Sequence, residues 1–149
     1  MNGQERHLYK VISRLEKNNI SFSIGGSGLL YFLGLQDDVG DWDLLTDASL
    51  DAVRKAILGL EFQVLGPKAP FNSSYLIQIA LSGFKVEIIG GFAIEKDGER
   101  YEIPSKAHLY RDGLPLSKVE YWVKAYQLLG KTDKAGALKK WLDNNLGKF

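Results

Sequence analysis

Apolar and polar positions alternate with two different periods along this chain, and the changes of period mark its elements. Leu8, Val11, Ile12 and Leu15 recur at helical spacing between charged residues, which predicts an amphipathic helix that Asn18-Asn19 ends. Residues 21–24 read as a short strand running into Gly25-Gly26, after which Ser27 is placed to cap a helix carrying Leu29, Leu30, Tyr31, Phe32 and Leu33. An acidic loop, 36–40, leads to a strand over 41–45, in which Asp41 and Asp43 share one face while Trp42 and Leu44 turn into the core. Residues 46–49 start a helix bearing Leu50, Val53, Ile57 and Leu58, and 61–65 read as a further strand. A hairpin follows, with strands 75–81 and 84–89 about Ser82-Gly83. In its second strand Lys85, Glu87 and Ile89 take one face, and Phe84, Val86 and Ile88 the other.

The remainder is punctuated by Gly90, Gly91, Gly98, Pro104, Gly113 and Pro115, so residues 90–115 are expected to be loops around a short strand near 101–103. Leu116, Val119, Trp122, Val123, Tyr126 and Leu129 then form an apolar helical stripe that Gly130 stops, and Leu138, Trp141 and Leu142 build a last helix. The pattern describes an α/β (α+β) protein with a mixed β-sheet and flanking helices. Trp122 and Trp141, at helical spacing with other apolar residues, read as core.

Composition narrows the chemistry. A chain of 149 residues suits one domain with a real hydrophobic centre. With 19 basic and 18 acidic side chains, the overall field gives no reason for nonspecific binding to nucleic acid or membranes, so any charged site is local. The absence of cysteine excludes disulfides, zinc-thiolate sites and a thiol nucleophile, and fits a reducing cytoplasm. The amino-terminal residues lack the form of a signal peptide and no apolar run approaches membrane-spanning length, so a soluble, cytoplasmic protein with no membrane contact is expected. His7 and His108 have no acidic or second histidine partner at ligand spacing and are not expected to be catalytic.

The chemistry lies in the carboxylates. Strand interiors disfavour Asp, so two at alternate positions beside Trp42, Leu44 and Leu45 call for a functional demand, and two on one face can hold a divalent ion. Glu87, within the apolar run Val86-Glu87-Ile88-Ile89, is placed to face the same side; the other reading has it in water or paired with Lys85. Converging carboxylates repel one another, and a magnesium ion removes the conflict. Gly25-Gly26 would let a phosphate approach the backbone and the Ser27 hydroxyl could donate to it, although paired glycines can equally serve positive φ or close packing. Asp37, Asp38 and Asp47 flank this region as a solvated loop and a helix start. The turn is neither a P-loop nor a Rossmann fingerprint, since the lysine of the one and the third glycine of the other are missing.

Gly-Gly-Ser between strand and helix, D-x-D on the next strand and a third carboxylate on a later strand together resemble the nucleotidyltransferase superfamily related to DNA polymerase beta, especially small prokaryotic members close to abortive-infection toxins and aminoglycoside nucleotidyltransferases. The resemblance covers residues 20–90 and continues more weakly into Val123-Lys124-Ala125-Tyr126, similar to a helix that in the toxin-like members brings a lysine toward the nucleotide; Lys124 matches it, or pairs with Glu120 one turn back. It implies a nucleotidyltransferase fold, with a catalytic core over 1–90 and a loop, a short strand and C-terminal helices over 91–149 packed on it. It implies two Mg²⁺ ions about 3.5–4 Å apart on Asp41, Asp43 and Glu87, with Gly25, Gly26, Ser27 and Lys124 binding a nucleoside triphosphate such as ATP. The expected activity is transfer of NMP from an NTP to a hydroxyl on an unknown small-molecule, RNA or protein acceptor. Little chain remains for an acceptor domain, so residues 90–149, a second subunit of a homodimer or a partner protein would complete that side. Asp133-Lys134 reverses the basic-then-acidic order usual in the toxin-like members, which leaves open a catalytically inactive nucleotide-binding or regulatory protein of toxin-antitoxin type.

Overall fold

The computed structural model describes residues 3–145. Fourteen elements follow one another: α1 (Gly3–Lys17), β1 (Ser23–Gly25), α2 (Gly26–Phe32), β2 (Asp41–Thr46), α3 (Leu50–Ala56), β3 (Phe62–Leu65), β4 (Tyr75–Leu81), β5 (Phe84–Gly90), β6 (Ala93–Lys96), β7 (Glu99–Glu102), β8 (Ala107–Arg111), β9 (Leu114–Ser117), α4 (Val119–Leu128) and α5 (Thr132–Asn144). A 7-stranded mixed sheet runs β3-β4-β5-β2-β1-β9-β8, and β6-β7 form a separate hairpin. β2 is its pivot, antiparallel to β1 and parallel to β5.

Period-two alternation gives the sheet two unlike faces. On one, Trp42, Leu44, Val86, Ile88, Ile77 and Ile79 are fully buried. Helix α1 presents Leu8, Val11, Ile12 and Leu15 to this side, and α2 packs Tyr31 and Phe32 around the Trp42 ring. The Trp42 indole donates to the Gln4 carbonyl at 3.0 Å, and His7 stacks on Phe84, which ties α1 to this face. A helix starts after 46–49 as expected, and Ser49 caps it, accepting from the Ala52 N–H. Burial of this face is the main apolar contribution to the fold, at roughly 1.5–3 kcal/mol for each large side chain.

The short strand expected near 101–103 is present as β7, but residues 90–115 otherwise hold more strand than the expected loops. They form two hairpins, each turning on Asp-Gly: Asp97 and Gly98, like Asp112 and Gly113, have positive φ at both central positions, the geometry that lets a two-residue turn follow the strand twist. Leu116 accordingly belongs to β9, not to the helical stripe, and pairs with Ile24 in parallel. The start of α2 also differs: Gly25 occupies the cap position with no side-chain hydrogen bond, and Ser27 lies in the first turn. Leu58, expected on a buried stripe, is 66% exposed. No helix among the described residues is long and apolar enough to cross a membrane.

Candidate functional site

The second face of the sheet carries the polar residues in a row. Gly25 on β1 pairs with Asp43 on β2, Asp43 with Glu87 on β5, Glu87 with Gln78 on β4, and Gln78 with Gln63 on β3. Asp41 lies two residues along β2 on the same face, opposite Lys85. The parallel pairing of β2 with β5 is therefore what sets a D-x-D strand beside a distant glutamate, and the alternation of both strands aims all three carboxylates away from the core.

Above this row lies a cavity of about 520 Å³, lined by Gly26, Ser27, Asp43, Glu87 and Gln78, by Leu65 to Lys68, Phe71 and Phe92, and by Trp122, Tyr126, Leu129, Lys131 and Lys134. Helix α4 forms its far wall, where Trp122 and Tyr126, one turn apart, face the sheet. Gly130, at φ 74°, reverses the chain so that α5 begins beside the cavity and brings in Lys131 and Lys134. Both glycines of the turn are required sterically. A Cβ on Gly25 would collide with the Trp122 ring, and one on Gly26, whose φ is 56°, would collide with the Asp43 carboxylate.

The electrostatics are those of crowded negative charge. Burial raises the Asp43 carboxyl to about 7, reinforced by Glu87 and Asp41 and opposed by Lys131 and Lys134. Glu87 is likewise raised, first by burial and then by Asp41, against a hydrogen bond from Gln78 and the charge of Lys85. Burial, and after it the charge of Asp43, raises the Tyr126 hydroxyl. The ion pairs among the described residues, Arg100–Glu102 and Lys118–Glu120, involve none of these carboxylates.

Hard oxygen donors with excess negative charge suit a divalent cation such as Mg²⁺, and the proton affinity forced on Asp43 marks charge that a cation would relieve. Among the described residues no group of three or more His, Asp or Glu side chains is closed around a metal position. Asp41, Asp43 and Glu87 are thus neighbours rather than a finished cage, in keeping with the habit of Mg²⁺ of taking one or two carboxylates and completing its shell with water and substrate phosphates.

Gly26, Ser27, Asp43 and Glu87 line the cavity, while Gly25 and Asp41 adjoin them through the sheet register without lining it. Lys124 is elsewhere: it is exposed, with its ammonium 5.0 Å from the centre of the Tyr101 ring, and it does not line the cavity. Lys131 and Lys134 line the cavity. Trp122 is buried in the core as its spacing predicts, and its ring in addition borders the cavity over Gly25. Helical spacing marks a buried stripe but does not tell which of its members borders a cavity.

No protein-family model matches the sequence, and no curated protein matches it significantly. Solved structures do resemble it. A candidate nucleotidyltransferase from Thermotoga maritima superposes with a TM-score of 0.66 at 24% identity, over 97% of this chain and 96% of that one. The aminoglycoside nucleotidyltransferase ANT(2'')-Ia, in complex with adenylyl-2''-tobramycin, gives 0.65 at 15% identity, over 96% and 90%. The solution structure of that antibiotic-resistance factor gives 0.61 at 14% identity, over 92% and 81%. The fold of this chain is that of the nucleotidyltransferases.

Proposed function

We propose that this protein transfers a nucleoside monophosphate from a nucleoside triphosphate to a hydroxyl group, in a magnesium-dependent reaction on the cavity face of the sheet. The observation that carries the reading is the row Gly25–Asp43–Glu87 across β1, β2 and β5, which sets the glycine turn beside two half-buried carboxylates. Nucleotidyl transfer asks for that pair of features: tight approach to phosphate, and anionic ligands for the cation that accompanies it.

Asp41, Asp43 and Glu87 would hold the divalent ion, which when bound neutralises the triphosphate and makes the acceptor hydroxyl more acidic. The chain's own residues supply the rest. The Gly25-Gly26 backbone and the Ser27 hydroxyl seat the phosphates, and Lys131 and Lys134 balance their charge from the α5 side. The acceptor oxygen attacks the α-phosphorus as the bond to the bridging oxygen of pyrophosphate breaks, and the acceptor's proton passes to the Glu87 carboxylate, which lines the cavity beside Asp43. Tyr126, Trp122 and Phe92 keep bulk water from the reacting groups.

Calorimetry with a nonhydrolysable ATP analogue, with and without Mg²⁺, tests the site. Metal-dependent binding that disappears in Asp41→Ala/Asp43→Ala is expected, and its absence in the wild-type protein would refute the proposal. Incubation of labelled ATP, GTP, CTP and UTP with cell extract then tests turnover. A labelled acceptor is expected; tight binding with no labelled product would favour a regulatory protein of the same fold.

A further inference from the structure

Beside the polar row Asp43–Glu87–Gln78 runs an apolar one, in which Ile89 on β5 pairs with Leu76 on β4, and Leu76 with Leu65 on β3. These three side chains share the face of the carboxylates, are only half-buried and line the same cavity. The loop between β3 and β4 adds Phe71, which also lines the cavity and is 43% exposed. That ring is nevertheless held. The Phe71 N–H donates to the Lys68 carbonyl at 2.8 Å, a β-bridge joins Phe71 to Ile94, and the Asn72 N–H donates to the Ala93 carbonyl at 2.8 Å. Its ring stacks on Phe92 at 6.2 Å between centroids. The β6–β7 hairpin thus fixes an apolar wall that the protein itself leaves open, and such a wall in a concave site with few polar groups takes the apolar part of a ligand.

Charge narrows the choice of ligand. The carboxylates that line the cavity are Asp43 and Glu87, both given to the cation under nucleotidyl transfer, whereas Lys68, Lys131 and Lys134 line it with positive charge. A cationic ligand would meet like charge and find no carboxylate left to pair with. Position narrows it further. The glycine turn lies at the β1 end of the sheet face and the apolar wall at the β4–β3 end, with Asp43 and Glu87 between them. Displacement at phosphorus sets the attacking and leaving oxygens in line. With pyrophosphate at the glycine turn, the attacking hydroxyl stands on the β4–β3 side, against the apolar wall. The cavity, at about 520 Å³, is of small-molecule size, and the nucleotide takes part of it.

We propose that the acceptor is a small hydroxyl compound without cationic groups, whose apolar body lies against Phe71, Leu76 and Leu65. The proposal rests on the nucleotidyl-transfer reading and names the acceptor class of that reaction. A polycationic amino sugar such as tobramycin is excluded by the same wall and the same lysines.

The full chain is incubated with Mg²⁺, nucleoside triphosphates labelled at the α-phosphate and cell extract, and in parallel with tobramycin in place of the extract. The product formed above the level of extract alone is expected in the ultrafiltrate, passing through a cation-exchange resin at neutral pH and eluting after the free monophosphate on a reversed-phase column. Tobramycin is expected to yield no labelled product. Phe71→Ser is expected to lower labelling about tenfold at limiting extract while binding the nonhydrolysable ATP analogue within about twofold of the wild type. Leu65→Gln takes its place should that variant not fold. Label on a macromolecule, retention on the cation exchanger, elution with or before the monophosphate, or labelled tobramycin would each overturn the proposal and leave the nucleotidyl-transfer reading intact. Wild-type labelling by the folded variant, or loss of its affinity for the analogue, would do the same. Analogue binding without any labelled product would overturn the proposal together with the transfer reaction, and failure of the analogue to bind would overturn the nucleotide site as well.

Discussion

Asp43→Asn is expected to make the protein more stable and less able to bind nucleotide. A carboxyl moved from 3.8 to about 7 by its surroundings corresponds to about 4 kcal/mol, at about 1.36 kcal/mol for each tenfold change in proton affinity. Water in the cavity screens part of this, so about 2–4 kcal/mol is the expected range. Because the folded-state value is the higher one, the contribution is fully present below about pH 4, where both states hold the proton. It is lost as pH rises through about 7, since the unfolded chain releases the proton first. Urea denaturation followed by circular dichroism from pH 4.5 to 8.5 should therefore show Asp43→Asn drawing ahead of the wild type as pH rises, with the difference levelling off above about pH 7.5. Other titrating groups act on both proteins and cancel in the difference. Mg²⁺ with an ATP analogue at about 100 times its Kd should return about 2.7 kcal/mol to the wild type at pH 8, and nothing to the variant. Parallel stability curves across this range would refute the reasoning, because Asp43 would then not be under electrostatic pressure. Under the proposed function, Asp43 would trade stability of the metal-free fold for a cation site.

Gly26→Ala should cost about 1–2 kcal/mol for its left-handed backbone and, because the new Cβ meets the Asp43 carboxylate, abolish calorimetrically detectable binding of the Mg²⁺–ATP analogue. Lys131→Met/Lys134→Met should weaken analogue binding about tenfold at low salt and flatten its salt dependence, whereas Lys124→Met should change the affinity less than about twofold. The Ser23 and Ser117 hydroxyls share a buried hydrogen bond of 2.7 Å between β1 and β9. Ser117→Ala should therefore cost about 1–3 kcal/mol in urea denaturation, and the double variant with Ser23→Ala should recover part of that loss.

Much of the carboxylate side of the site could be read from alternation. Once 41–45 and 84–89 are strands, the side each residue faces follows from the pleat, and Asp41, Asp43 and Glu87 fall on one face. The α4 side could not be read that way, because Lys131, Lys134 and Trp122 enter the cavity through the turn at Gly130 and the packing of α4 over β1, which are tertiary facts. Lys124 illustrates the difficulty: it sits on α4 over Tyr101, whereas the lysines of the cavity, Lys131 and Lys134, come after the Gly130 turn at the start of α5. The hairpins of 90–117 were legible in principle. Asp97-Gly98 and Asp112-Gly113 are strong short-range turn signals, but the surrounding glycines and prolines argue for loop, and the flanking strands are too short and too exposed to alternate clearly.

The parallel pairing of Ile24 with Leu116 has a consequence for how the protein is made. The carboxylate row is complete in sequence by residue 87, yet the wall that faces it arrives only with α4, after β9 has closed against β1. A nascent chain thus presents its carboxylate row to solvent well before the α4 aromatics and the two lysines, Lys131 and Lys134, that line the opposite side of the cavity. Ribosome-bound chains ending before Val119 should lack nucleotide affinity, and the competence to bind should appear abruptly as α4 and α5 emerge.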